Sequence, residues 1–193
     1  YESQFSIYSH STLHFSGGNG SITWTANLSS PLISTVKIND IILAEDDEGI
    51  YRAFQTSDGI QRWHSPLPRE PSLVTPTLTN SILFAWPNGI ALHSDALTGQ
   101  TIHIWHLMGI PKALWGADPQ NQFLLVDMGA QNETHVLKTN SALSVLDTRF
   151  RCEGHLIDAC WSHDGLSFSL LVKGSEGLVL YRLDTKTLGI RRE

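Results

Sequence analysis

Gly20-Ser-Ile-Thr-Trp24 and Gly59-Ile-Gln-Arg-Trp63 share one spelling, a glycine, three residues and a tryptophan, offset by 39 positions. The match continues past the tryptophans, where Leu28 and Pro31 answer Leu67 and Pro71. Upstream, Gly49-Ile50-Tyr51 leading to Gly59 returns as Gly89-Ile90-Ala91 leading to Gly99, a shift of 40. In that second copy Trp105 falls two residues late, and His103 stands at the equivalent place. A further cycle is visible at Gly177-Leu-Val-Leu-Tyr-Arg-Leu-Asp184, 88 residues beyond Gly89. Self-similarity at this period marks stacked supersecondary units that bury a core together.

The local pattern identifies the unit. Short apolar runs recur between turn signals, as in Ile41-Ile42-Leu43-Ala44, Ile82-Leu83-Phe84-Ala85-Trp86, Phe123-Leu124-Leu125-Val126 and Phe168-Ser-Leu170-Leu171-Val172. Each is rich in β-formers and followed by an acidic, Gly or Pro turn. Alternation in Ser21–Thr25 and Gln61–His64 fits strands with one buried face. The span from His135 to Leu146 is the one ambiguous with helix; its β-branched residues lie where two strands are due. The sequence therefore predicts an all-β β-propeller of four-stranded antiparallel blades, because a period near 40 is one blade. The cuts fall at 1–30, a partial unit, then 31–70, 71–110, 111–153 and 154–193. The partial unit maps onto the second, third and fourth strands of a blade (Phe5–Ser9, Thr12–Ser16 and Ser21–Asn27), and its first strand is missing. The last unit carries four strands of its own, Ile157–Trp161, Ser167–Val172, Leu178–Leu183 and Gly189–Arg191. An open ring leaves unpaired edges, so the expectation is one propeller region over 1–193 within a larger propeller or protein, completed by another chain or segment. A self-closed five-bladed ring is the rival.

Composition narrows the classes. A chain that is 41% hydrophobic and 17% charged is too apolar for disorder. The net charge of −6 argues against nucleic-acid or anionic-membrane partners, which require clustered Lys and Arg. No apolar run reaches the ~18 residues that span a bilayer. With Cys152 and Cys160 alone there is no disulfide framework; two buried free thiols are the expectation, and a pair across neighbouring strands is the alternative. The acidic run Glu45-Asp46-Asp47-Glu48 lacks the staggered ligands and closing Glu of a calcium loop and reads as a turn. Three sequons, at Asn19, Asn27 and Asn132, leave the compartment open.

In Ala53-Phe-Gln-Thr-Ser-Asp58-Gly59-Ile-Gln-Arg-Trp63, the small residue, the turn and the Trp resemble the PQQ-like propeller repeat, roughly Ala-x-Asp-x-x-Thr-Gly-x-x-x-Trp. The next unit, His93-Ser-Asp95-Ala-Leu-Thr98-Gly99-Gln-Thr-Ile-His103, restores the Asp and Thr-Gly but loses the Ala and displaces the Trp. The final unit is more similar to TolB-like and WD-repeat propellers, in Cys160-Trp161-Ser162-His163-Asp164-Gly165 and Leu180-Tyr181-Arg182-Leu183-Asp184, with His163 where those repeats carry Pro. Gly154-His155 resembles the Gly-His of WD repeats. The resemblance is poor over 111–153. The physics of the motif is structural, since Gly supplies a positive-φ turn and Trp supplies apolar area between blades with an N–H to satisfy.

No chemistry emerges from the remaining motifs. His103 and His106, three apart in a strand, point to opposite faces, and His10 and His14 share a face only at long separation. No Cys stands at zinc spacing from any His. His163-Asp164 runs at once into Gly165 and reads as a turn, not a phosphohydrolase His-Asp pair. There is no Gly-x-Ser-x-Gly elbow and no phosphate loop; Gly17-Gly18-Asn19-Gly20 reads as a hairpin turn. A PQQ dehydrogenase is disfavoured, because the resemblance to that family implies adjacent cysteines and a longer ring. The sequence thus assigns no catalytic, cofactor or metal residue. It is read as a non-catalytic scaffold that binds protein partners through loops on rigid blades. Candidate surface features are the acidic turn at 45–48, Trp86-Pro87-Asn88 and the 128–134 loop, with no indication of which share a face. The alternatives are an extracytoplasmic ligand-binding or sensor propeller, and a propeller enzyme.

Overall fold

A computed structural model of the protein describes residues 5–8, 11–16, 21–118, 121–140, 143, 146–162, 166–187 and 189–192. His10, Gly17–Gly20 and His163–Gly165 lie outside the described residues. The described strands form five antiparallel meanders in chain order. Sheet I holds β1 (Phe5–Tyr8), β2 (Thr12–Ser16) and β3 (Ile22–Asn27). Sheet II holds β4 (Leu32–Ile38), β5 (Ile41–Asp46), β6 (Ile50–Gln55) and β7 (Gln61–Pro66). Sheet III holds β8 (Leu73–Pro76), β9 (Ser81–Ala85), β10 (Ile90–Asp95) and β11 (Thr101–His106). Sheet IV holds β12 (Ile110–Asp118), β13 (Asn121–Asp127), β14 (Glu133–Thr139) and β15 (Leu146–Glu153). Sheet V holds β16 (His155–Trp161), β17 (Ser167–Gly174), β18 (Gly177–Asp184) and β19 (Ile190–Arg192). The span from His135 to Leu146 is strand at both ends, as its β-branched residues require.

The second strand of each complete sheet is the apolar run legible in the sequence. In sheets II, III and IV it is buried on both faces, whereas β17 of sheet V seals only the alternate Phe168, Leu170 and Val172. Ile42, Leu43, Phe84, Leu124 and Leu170 are all sealed. A strand covered on two sides reads as a continuous hydrophobic run instead of an alternating one. The outermost strands alternate, with Trp24 in β3 and Trp63 in β7 turned inward between exposed neighbours.

Those two tryptophans fasten sheet to sheet. Trp24 of sheet I lies flat on Gly59 of sheet II, and its Nε1–H donates to Thr56 O at 2.8 Å. Trp63 of sheet II repeats the arrangement on Gly99 of sheet III, donating to Ala96 O at 2.9 Å. Both glycines hold φ +71°, and a Cβ at either would fall 2.6 Å from the indole Cδ2. The glycine therefore serves twice, as a left-handed turn residue and as a floor for the preceding sheet's indole.

The later junctions use other means. Between sheets III and IV the core is aliphatic, Leu83, Leu114, Leu124, Val126 and Leu137 with Trp105 alongside. Between IV and V it is aromatic, with Trp161 stacked on Phe168 at 5.3 Å and Trp115, Phe123 and Tyr181 close by. This change of cement is why the repeat fades after residue 110. The step from IV to V is a single residue, Gly154, whose N–H donates to Asn132 O at 2.7 Å and whose O accepts from Thr134 Oγ1 at 2.8 Å. At φ +117° its Cβ position lies 2.8 Å from Lys173 backbone atoms, so only glycine fits there.

Both cysteines are free, but they differ in environment. Cys152 is buried and its thiol is pushed up to about 11 by burial, while Cys160 is exposed on sheet V. The expectation of two buried thiols fails at Cys160, because β16 turns it away from sheet IV toward the uncovered face.

Candidate interaction face

In a four-stranded meander the hairpin between the second and third strands and the link to the next sheet emerge at the same end. That topology answers the question the sequence left open. The turn after β5, the turn after β9 and the loop after β13 are equivalent, so the 45–48, 86–88 and 128–134 features share one rim. The inter-sheet loops 67–72 and 107–109 lie at that rim too.

Each feature is built differently. Asp46, with a side chain 0% exposed, accepts from the backbone N–H of Glu48 at 3.1 Å and of Ile50 at 2.8 Å, and pairs with Arg52. Arg52 in turn donates to Ser29 Oγ at 2.8 Å, tying the turn to the preceding link. Burial pushes the Asp46 carboxyl up, but Arg52 and the two backbone N–H groups outweigh it, and its pKa lies below the ordinary 3.8. The acidic run is therefore split, with Asp46 inside as a structural pin and Asp47 and Glu48 outside.

Trp86 is not a surface feature. It is buried, and its Nε1–H donates to Pro68 O at 2.8 Å, so Pro87 and Asn88 alone face solvent. The apolar run through Ile82–Trp86 carries this signal, since Trp86 ends a run buried on both faces. The 128–134 feature is shorter than the sequence suggests. Gly129–Gln131 forms one 3-10 turn, and Glu133 and Thr134 already belong to β14.

Two clefts open between sheets at the same rim. One, of about 340 Å³, lies between sheets II and III beside Asp47, Gly49, Arg69 and Glu70. The other, of about 380 Å³, lies between III and IV and is lined by His106, Met108, Met128, Gln131, His135 and Arg151. Met108, 85% exposed, stands at its edge. His135 Nε2 lies 2.7 Å from Glu133 Oε2, whereas Arg151 forms no salt bridge among the described residues.

On the opposite face the structure reveals a polar cluster that spacing did not predict. His93 Nε2 lies 2.6 Å from Ser81 Oγ, which lies 2.5 Å from Thr77 Oγ1 and 3.2 Å from Thr79 Oγ1. His93 and Ser81 are each 2% exposed, so this serine–histidine contact is sealed from solvent. His93 occupies the position of Ala53 in the preceding sheet, and its cross-strand partner is His103, just as the partner of Ala53 is Trp63. The two departures from the repeat are thus one paired substitution. Trp105 fills the vacated space, its ring 4.7 Å from His103 and 6.1 Å from His93. Two irregularities in one repeat unit were the available signal, but pairing them requires the register.

Burial, reinforced by His103 and opposed by Asp95, holds the His93 imidazole below its ordinary 6.5. The unfolded chain then binds the proton more readily than the folded one, so stability from a neutral His93 is complete above about pH 6.5 and falls as pH drops toward the folded value. Denaturant midpoints measured from pH 7.5 to 5.5 are expected to decline, by at most about 1.4 kcal/mol per pH unit from this group. His93→Leu should flatten that decline.

His14 in β2 contacts Thr25 Oγ1 at 2.9 Å, and His155 Nδ1 lies 3.1 Å from Asp127, so both sit in strand-level polar pairs. His103 is partly buried and His106 exposed, on opposite faces of β11 as their spacing requires.

The structure is similar to BamB from Moraxella catarrhalis, with a TM-score of 0.63 at 14% identity over 97% of this chain and 62% of that one. It is also similar to the β-propeller domain of Myceliophteria thermophila Cps50 (Swd1), with a TM-score of 0.65 at 11% identity over 99% and 69%. A third neighbour is the dihydro-heme d1 dehydrogenase NirN in complex with DHE, with a TM-score of 0.69 at 14% identity over 98% and 47%. The chain folds as a β-propeller. Sheets II to V are complete four-stranded blades, and sheet I is a partial blade of three strands among the described residues. The propeller spans less than two thirds of the BamB and NirN chains. No protein-family model matches the sequence, and no curated protein matches it. At these identities the likeness carries the fold alone.

Proposed function

We propose that this propeller is a non-catalytic scaffold whose hairpin rim binds a protein partner. The observation that carries this reading is the shared rim. Three equivalent hairpins and the links between blades present Asp47, Glu48, Pro87, Asn88 and Met108 to solvent on a frame fixed by buried strands and docked indoles. Loops held by a rigid scaffold are where such folds bind. The buried titratable groups support the same reading, since Asp46 pins a turn and His93 faces Ser81 inside a sealed core. The Trp-on-Gly docking of blades I to III supports a PQQ-like repeat there, and the last blade a WD- or TolB-like one.

The reading includes completion of the ring. In each complete blade the strand equivalent to β1 is flanked by an inner strand, whereas β1 ends its sheet among the described strands. Another segment or chain supplies that strand. The test is capture from the natural source with cross-linking. A stoichiometric partner whose cross-links map to the rim is the expected result. Glu48→Lys with Met108→Asp should weaken its capture at least tenfold, while Asp58→Lys and Leu97→Asp, at the opposite turns, should leave it unchanged. Equal loss from both pairs would overturn the rim assignment.

A second reading, an extracytoplasmic ligand-binding or sensor propeller, is favoured by one observation: Asn27 of the Asn-Leu-Ser sequon is exposed at the end of β3. A glycan mass on Asn27 would move the compartment in its favour.

A further inference from the structure

The five outermost strands are not equally defended. An outermost strand leaves a row of backbone N–H and C=O groups free to pair with another chain, and proteins blunt such edges with charge or proline. β7 carries Arg62 and Pro66, β15 carries Asp147, Arg149, Arg151 and Glu153, and β19 carries Arg191 and Arg192. β3, like β11, has no charge or proline, but its exposed positions are Ile22 and the polar Thr23, Thr25 and Asn27, so polar side chains dominate its outward row. β11 reads Thr-Ile-His-Ile-Trp-His, with no Lys, Arg, Asp, Glu or Pro, and holds Ile102 and Ile104 each 52% exposed on one face. Its sequence has strong strand propensity, and it pairs with β10 alone among the described strands. The end of β11 leads through His106 and Met108 into the 380 Å³ cleft, where Arg151 stands without a carboxylate among the described residues.

We propose that β11 is a strand-addition site for an extended segment of a protein partner, apolar at alternate positions and carrying an acidic residue at the His106 end. Main-chain hydrogen bonds to the free edge would hold the segment. Its side chains alternate between the two faces of the blade. One row meets Ile102 and Ile104, and the other reaches the cleft, where a carboxylate meets Arg151 in a charge-assisted pair. The inference rests on the scaffold reading but uses the outer edge of blade III, so the rim assignment can stand if it fails.

The probe is a labelled decapeptide of alternating Val and Thr ending in two Glu, titrated against the purified protein by fluorescence polarisation. A twin ending in two Lys serves as the comparison. Saturable binding of the acidic peptide is expected, at least tenfold tighter than the basic one. Ile104→Lys should weaken it at least tenfold, and Arg151→Glu should reverse the preference. Methylating the peptide's edge-facing amides should abolish binding, which a purely side-chain contact would not show. Since Ile104 and Arg151 are exposed, both variants should retain the wild-type unfolding midpoint, and that is measured alongside. Indifference to peptide charge, or unchanged binding by Ile104→Lys, overturns the proposal. A wild-type dimer that Ile104→Lys dissociates, without peptide binding, would instead make a second copy the occupant and equally overturn it.

Discussion

Gly99→Ala is expected to lose about 2–5 kcal/mol of stability, although it adds one methyl group. Two costs combine. The residue holds φ +71°, where a Cβ costs roughly 1–2 kcal/mol. The new atom would also fall 2.6, 2.8 and 3.0 Å from three ring atoms of Trp63, and overpacking of that kind costs about 1–3 kcal/mol. The indole cannot simply slide away, because its N–H is committed to Ala96 O. Urea unfolding followed by tryptophan fluorescence measures the loss directly. In a Trp63→Ala background the steric part should vanish, leaving roughly the backbone cost, so a double-mutant cycle should show about 1–3 kcal/mol of coupling. Additivity would mean that the indole does not rest on the glycine. Gly129→Ala is the control: nothing lies within 4 Å of its Cβ position, and the change should stay within about 0.5 kcal/mol.

Asp46→Ala should cost a similar amount, about 3–5 kcal/mol, because it strands Arg52 and leaves two backbone N–H groups without their acceptor. Asp46→Asn keeps an oxygen for those N–H groups and loses only the charge, so a smaller loss of about 1–3 kcal/mol is expected. The acid limb of stability gives an independent check. The folded Asp46 pKa lies below 3.8, so the unfolded state binds the proton more readily. The stabilisation is complete above the ordinary carboxylate value and is lost as pH falls through the depressed folded one. Midpoints measured between pH 5 and 2 should fall in the wild type and fall less in Asp46→Asn. Equal slopes would remove Asp46 from the account.

Both effects bear on the proposed function, since they concern the parts that hold the rim still. Gly59 and Gly99 set blade-to-blade spacing through the indoles, and Asp46 sets the conformation of one hairpin. A variant at either site should weaken partner capture only as far as it unfolds the blade. A variant at Glu48 or Met108 should weaken capture with stability intact.

The spacing of glycine, tryptophan and apolar runs determined the all-β fold, the blade period and the positions of nearly all the strands. These are local properties: a run of four to six β-formers between turn residues forms a strand wherever it stands, and its repetition makes each strand a copy of another. The burial of Trp86 was legible in its apolar run, but the exposed Cys160 and the early end of the 128–134 loop were beyond the sequence, because exposure and strand ends depend on what lies across the blade and its junctions. Only the tertiary structure paired His93 with His103 and laid Trp24 on Gly59 and Trp63 on Gly99. Residues some 35 positions apart meet through the stacking of sheets, and no signal within one repeat records which neighbour a side chain will touch. The gathering of three hairpins onto one rim and the bare edge of β11 were decided at the same level. Which end of a strand shares a surface with which loop is a property of the assembled ring, where strand direction and sheet order together determine what solvent and partners can reach.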